Sequence, residues 1–363
     1  MSVRPIATVL RQAQLTRRAS NAACFHVATQ RFSDPRLKDE VTARIIHDDF
    51  AALREAYEAP KHPLVLAHGL LGFDELHVIP AFGSWKLPGL QYWSGITEAL
   101  TAKGIDVIIA TVPPSGSIEE RAGKLAEKIR SAAGNRGVNV IAYVRLLRSR
   151  CLPTNSFLDT VWGSSKEKTL LKVLIMHSGL DARFMISKMQ PDDIRILSLT
   201  TVATPHRGSA FADYMFKQLG PTITETLYAV LGRVGFSDTK GFAQLTREYM
   251  NNEFNPLVQD DPNVRYFSYG AQLNPHLTSV FRYSHNVIQK VEGENDGLVS
   301  VESSRWGDYK GTLENVSHLD LINWTNKLRW WAKEVMFGAD GKAKFNAIAF
   351  YLAIADMLAK EGL

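Results

Sequence analysis

Two runs decide how this chain is read: Val138-Asn139-Val140-Ile141-Ala142-Tyr143, and Ile175-Met176-His177-Ser178-Gly179-Leu180-Asp181-Ala182-Arg183-Phe184-Met185-Ile186-Ser187. The first is an apolar strand, and the second sets a serine ahead of a helical pattern. A serine between a buried strand and a helix is presented on a sharp, strained turn. The usual form is G-x-S-x-G, because the residues two away on each side must be small. Here those neighbours are Met176 and Leu180, and Val144 to Met176 separate the strand from the serine. Both side chains are expected to clash with the turn or force it open, and misplacing a nucleophile by about 1 Å can cost about 10²-fold in rate. One remedy is available in the sequence: Lys172 to Met176 is strand-like and could replace Val138–Ala142 as the strand that feeds the serine.

Outward from this stretch, short apolar runs alternate with helical patterns. Leu64–Ala67, Ile105–Ala110, Val138–Ala142, Ile194–Val202 and Val264–Tyr269 read as buried strands. Gly95–Lys103, Ile118–Ala132 and Asp181–Met189 read as helices. That alternation predicts an α/β fold, a mostly parallel sheet flanked by helices. There is no internal repeat and no low-complexity linker, so residues 34–363 are expected to form a single domain.

Chemistry is expected where parallel strands end. His68-Gly69-Leu70-Leu71-Gly72 follows the first strand, and its small residues allow a sharp turn that aims an N–H group at a developing oxyanion. Asn295-Asp296-Gly297-Leu298-Val299 and Ser317-His318-Leu319-Asp320 lie further on, with acid and histidine 22 residues apart. After Ser178 they complete a serine–acid–histidine order in which His318 acts as general base and Asp296 fixes its tautomer. Taken singly, N-D-G is a turn and a lone histidine is unremarkable. Ser115 and Ser117 are weaker nucleophile candidates, since they sit in a Pro-Gly loop with no following elbow.

LAHGLLGFDEL, PPSGSIEERA, LTTVATPHRGSAFADY, NDGLVS and SHLDLINW together resemble the fungal mitochondrial-type triacylglycerol lipases, relatives of bacterial lipases, from about Pro63 to Leu363. The resemblance implies an α/β-hydrolase fold with a helical lid over 210–262 and hydrolysis of acylglycerols or similar long-chain esters. It also implies catalytic roles for Asp296 and His318, an oxyanion N–H from Leu70, and a second from Gly179 if Ser178 is the nucleophile. Relative to that family, residues 143–176 carry an insertion and about two residues are missing between Ser178 and Leu180. The insertion is either a translated intervening sequence or a genuine lineage-specific surface hairpin. An active esterase and a catalytically impaired lipase-like binder are therefore both open readings.

Asp320 matches a calcium-binding aspartate of the bacterial relatives, but Leu277 to Glu294 contains no aspartate to partner it. No calcium is expected. No Cys/His spacing suggests zinc and no Gly-rich loop suggests a nucleotide, so no cofactor is expected.

Composition agrees with a folded domain: 45% hydrophobic and 22% charged residues over 363 positions. Residues 1–33 hold Arg4, Arg11, Arg17, Arg18 and Arg31 and no acid; without these five of the 42 basic residues, 37 face 37 acidic ones. A neutral body argues against a nucleic-acid-binding face, and the leader reads as a mitochondrial presequence rather than a disordered basic tail. The two cysteines, Cys24 and Cys151, cannot form an internal disulfide once the leader is removed. Residues 345–363 read as an amphipathic helix laid on the domain. Transient contact with a membrane surface or lipid droplet is the lesser alternative for that helix.

Overall fold

The strands lie where aliphatic and β-branched residues cluster. The computed structural model describes residues 45–68, 75–76, 90–91, 93, 95–113, 116–147, 174–217, 240–276, 279, 281–322 and 345–363. All belong to the unit Arg36–Leu363. The leader 1–33 lies outside the described residues.

Among the described residues, seven strands form the main sheet: β1 (Ile45–Ile46), β2 (Leu64–His68), β5 (Val107–Thr111), β6 (Gly137–Leu147), β8 (Arg195–Val202), β9 (Arg265–Gln272) and β10 (Asp308–Glu314). Their order is β5-β2-β6-β8-β9-β10-β1, and every one of these pairings is parallel. Two-residue strands β3 (Glu75–Leu76) and β4 (Leu90–Gln91) form a separate antiparallel pair. The chain moves from β2 outward to β5, then returns to β6 and proceeds the other way through β8, β9 and β10. The reversal makes the carboxyl ends of β2 and β6 a topological switch point, where such sheets leave a crevice for ligands.

Pleat alternation divides the core into two layers. Leu64, Leu66, Ile141 and Tyr143 face helices α1 (Ile96–Ala102) and α6 (Ala347–Lys360), which add Ile96, Leu100, Phe350, Tyr351 and Ile354. Val65, Ala67, Val138, Val140 and Ala142 face α2 (Ile118–Ala133) and α3 (Ser178–Phe184), which supply Ala122, Leu125, Ile129 and Ala182. A third apolar cluster joins Leu180, Phe211, Leu245, Phe254, Phe281, Ile288 and Leu298. Leu180 thus has an apolar environment of its own on α3, where a clash with the turn was expected.

The interruption after Tyr143 has a defined local form. Val144–Leu147 continues β6, and β7 (Leu174–His177) returns antiparallel to it, with Val144 opposite His177 and Leu147 opposite Leu174. Residues 148–173 lie outside the described ones. Leu174–His177 is a strand that leads directly into Ser178, as the strand-like run Lys172–Met176 suggested, but it does not take over the sheet position of Val138–Ala142. Val138–Tyr143 stays between β2 and β8, and among the described residues β7 pairs with the overhang. The reason is that the two parallel neighbours already occupy the ladder positions of 138–143.

Helix α6 is covered more completely than an amphipathic stripe: Ala347, Ala349, Phe350, Tyr351, Leu352, Ile354, Ala355 and Leu358 are all buried. Its ends are tied to residues before β2, since Asn346 N–H donates to the Phe50 carbonyl and Lys61 N–H to the Leu363 carbonyl, and the Phe50 ring meets Phe350 edge to face at 5.2 Å. Among the described residues, no helix is long and apolar enough to cross a membrane. In the region expected to form a lid, residues 210–217 are helical and 240–257 form short helical turns, while 218–239 lie outside the description.

Candidate active site

Asp296 reaches the site from the loop after α4 (Arg282–Val291), the crossover helix that follows β9. The N-D-G turn is built from its own side chains: Asn295 Oδ1 accepts the Gly297 N–H at 2.9 Å, and Asn295 Nδ2 donates to the Gly293 carbonyl at 2.9 Å. Gly297 is required there, because it has φ +102° and a Cβ would lie 2.6 Å from that of Phe281. One carboxylate oxygen of Asp296 accepts the N–H groups of Leu298 and Val299, each at 2.9 Å. The other is left for a partner outside the turn. The N-D-G turn is therefore also what leaves one carboxylate oxygen of Asp296 facing a residue outside it.

That partner is His318, on the loop after β10. Its Nδ1 lies 2.6 Å from Asp296 Oδ2, and its backbone N–H donates to the Asp296 carbonyl at 3.1 Å. Neither side chain is accessible to solvent. Asp320 shapes the histidine loop: one of its carboxylate oxygens accepts both the N–H of Ser317, at 2.9 Å, and its hydroxyl, at 2.6 Å.

Ser178 stands at the first position of α3, fully buried at the switch point. Its hydroxyl donates to the main-chain carbonyls of Ala67, near the end of β2, at 3.1 Å, and of Tyr143, where β6 leaves its pairing with β2 and β8. Neither bond goes to His318. The backbone at Ser178 is helical, and among described non-glycine residues a positive φ occurs at Gln190, Ala203 and Asn315. The strained strand-to-helix turn, which Met176 and Leu180 were expected to clash with or force open, is not formed at this serine. Gly179 follows in contact with β8's exit: a Cβ there would fall 2.3 Å from Thr204 Oγ1. Leu70 lies outside the described residues.

The structure therefore brings Asp296 and His318 together and places Ser178 nearby with its hydroxyl turned elsewhere. Two further groups escaped the sequence reading. Tyr143 is buried at the end of β6's sheet pairing, and its hydroxyl donates to the main-chain carbonyl of His318. Its ring lies over the imidazole, with centroids 5.2 Å apart and planes at 30°. The second is the buried pair Arg121–Asp181, in which Nε and Nη2 lie 3.0 and 2.6 Å from one carboxylate oxygen. Burial pushes Asp181 up to about 6, with Arg121 opposing the rise. A signal for Arg121 did exist: it lies three residues after Ile118 and four before Leu125, on the helix's apolar stripe.

His206 and Arg207 serve the loop after β8. His206 stacks on Trp306 at 5.1 Å and shares a 3.0 Å contact with Thr201 Oγ1, while Arg207 donates to the carbonyls of Glu302 and Arg305. Ser117 caps α2, accepting the Glu120 N–H at 3.3 Å.

No protein-family model matches this chain. Triacylglycerol lipase 2 of Saccharomyces cerevisiae is 33% identical over 364 residues, covering 90% of this chain and 100% of that protein. A triacylglycerol lipase of Vibrio cholerae is 26% identical over 305 residues, covering 75% of this chain and 83% of its own length. Among solved structures, the Staphylococcus hyicus lipase superposes with a TM-score of 0.53 at 18% identity, covering 85% of this chain and 98% of that one. That likeness is one of fold, and the fold is the α/β-hydrolase sheet.

Proposed function

The chain belongs to the triacylglycerol lipase family, and we propose that it hydrolyses carboxylic esters of acylglycerols or similar long-chain lipids. The observation that carries the reading is the Asp296–His318 pair, at 2.6 Å and closed to solvent, on the loops around the carboxyl edge of the sheet. In the reaction Ser178 attacks the ester carbonyl and His318 takes its proton. Asp296 holds the imidazole with its proton on Nδ1 and stabilises the imidazolium that forms. The amides of Leu70 and Gly179 receive the oxyanion. The alcohol leaves with the proton from His318, and water, activated by the same imidazole, releases the fatty acid from Ser178. To begin, the Ser178 hydroxyl must turn from the carbonyls of Ala67 and Tyr143 towards the imidazole.

That same requirement favours a second reading, a catalytically impaired lipase-like protein that binds lipid or a partner. A fluorophosphonate probe on the whole chain separates them. An adduct mapped to Ser178 and lost in His318→Ala supports the hydrolase. An unlabelled chain, beside a variant with residues 144–176 removed and a Gly-x-Ser-x-Gly elbow restored that does label, supports the impaired form.

Residues 1–33 direct import into mitochondria in this proposal, and 210–262 act as a lid that opens at a membrane surface or lipid droplet. The acid-free, five-arginine leader supports the first. The helical start at 210–217 and the family membership support the second. Import is tested by following the whole chain in cells with and without residues 1–33; cytosolic retention of both forms would count against it.

A further inference from the structure

Tyr143 touches both ends of the proposed reaction. Its main-chain carbonyl accepts the Ser178 hydroxyl, and its phenol hydroxyl donates to the main-chain carbonyl of His318. Its ring covers the imidazole at 5.2 Å. The backbone between these contacts is held firmly, because Tyr143 pairs with His68 on β2 and Val202 on β8 at the centre of the sheet. The side chain is fully buried, which restricts the phenol to few rotamers.

We propose that Tyr143 is a positioning residue of the ester-hydrolysing site, joining the serine-bearing start of α3 to the histidine loop through one side chain and one carbonyl. The proposal rests on His318 being the general base. The histidine loop is reached from β10, three strands from β6 across the sheet, and Asp296 meets the imidazole at its Nδ1. A rotation about the Asp296–His318 axis would change the direction of the opposite nitrogen while leaving that hydrogen bond intact. The phenol opposes such a swing twice, by ring contact and by the bond to the histidine's own carbonyl.

Tyr143→Phe isolates the effect, since it keeps the ring and the carbonyl acceptor of Ser178 and removes only the donor to His318. The expected result is a fall in kcat of about tenfold with KM unmoved, the scale of a small displacement of a catalytic group. The Nδ1 proton resonance of His318 should shift or broaden in the same variant, and Tyr143→Leu, which also removes the ring, should lower kcat further. An unchanged His318 resonance in Tyr143→Phe overturns the proposal, whatever happens to kcat. The resonance needs no turnover, so it decides the role of Tyr143 even where His318→Ala hydrolyses ester as fast as the unmodified chain. In that case the assignment of His318 as base fails, and the positioning role in the reaction fails with it.

Discussion

Asp296 and His318 meet at 2.6 Å in a space that solvent does not reach, and the remaining carboxylate oxygen of Asp296 is already bound by two backbone amides. The acid is thus held independently of the histidine, which allows it to fix a tautomer rather than merely attract a charge. Asp296→Asn keeps the shape and removes the acceptor pair that selects the Nδ1–H tautomer. Hydrolysis of a p-nitrophenyl ester is expected to fall by about 10³–10⁴-fold in kcat, the scale of a lost triad acid. Retention of more than about a tenth of the rate would mean that this pair does not serve catalysis.

Gly179 has no room for a side chain. A Cβ would stand 2.3 and 2.6 Å from Thr204 Oγ1 and Cγ2 and 2.9 Å from its Cβ. Gly179→Ala is expected to cost about 1–3 kcal/mol by overpacking. Thr204→Ala should recover part of it, since it removes the two nearest contacts. Urea unfolding of the single and double variants measures both, and strict additivity would show that the two residues do not meet.

Arg121 and Asp181 clamp α2 to α3 in the interior, with side chains 2% and 0% exposed. Removing one partner leaves an uncompensated buried charge. Arg121→Met should therefore destabilise the chain by about 3–5 kcal/mol, while Arg121→Met with Asp181→Leu should be far closer to the unmodified stability. A thermal-melting cycle in which the double variant is as unstable as Arg121→Met would exclude this account.

Glu292 is pushed up to about 7, first by burial and against the pull of Ser300 and Arg247. It accepts the Ala210 N–H at 2.9 Å, and Arg247, itself bound to Asp213, lies 3.6 Å away. In the unfolded chain this carboxyl loses its proton near its ordinary 4.5. Between those values the folded state holds more protons, so the group lowers stability as pH rises, and its full cost is present above about 7. Glu292→Gln keeps an acceptor for Ala210 and removes the titration. Its stability relative to the unmodified chain should therefore grow from pH 4.5 to pH 7, by at most about 3 kcal/mol. Parallel stability curves across that range would contradict the assignment.

Much of this architecture was readable beforehand. Leu64–His68, Val107–Thr111 and Arg195–Val202 are apolar enough to declare themselves as buried strands, and α2 shows its apolar stripe; that Ser117 caps this helix, rather than serving as a nucleophile, needed the structure. β10 was missed because Asp308-Tyr309-Lys310-Gly311-Thr312-Leu313-Glu314 lacks an apolar run and is a strand by virtue of its neighbour β9. Tyr143 was missed for a related reason: an aromatic residue within an apolar strand looks like core until its hydroxyl finds the carbonyl of a residue 175 positions away.

The α/β class, the order of serine, acid and histidine, and the turn that presents Asp296 follow from the chain's local order of residues, because periodicity and short-range turn chemistry are local properties. Only the tertiary structure decided that Val138–Tyr143 keeps its place in the sheet despite the interruption, and that the Ser178 hydroxyl rests on the carbonyls of Ala67 and Tyr143. It alone decided that His318 is held from two sides. These are contests between distant groups for the same few hydrogen bonds at the switch point, and they are settled by which strands lie side by side rather than by what precedes or follows each residue in the chain.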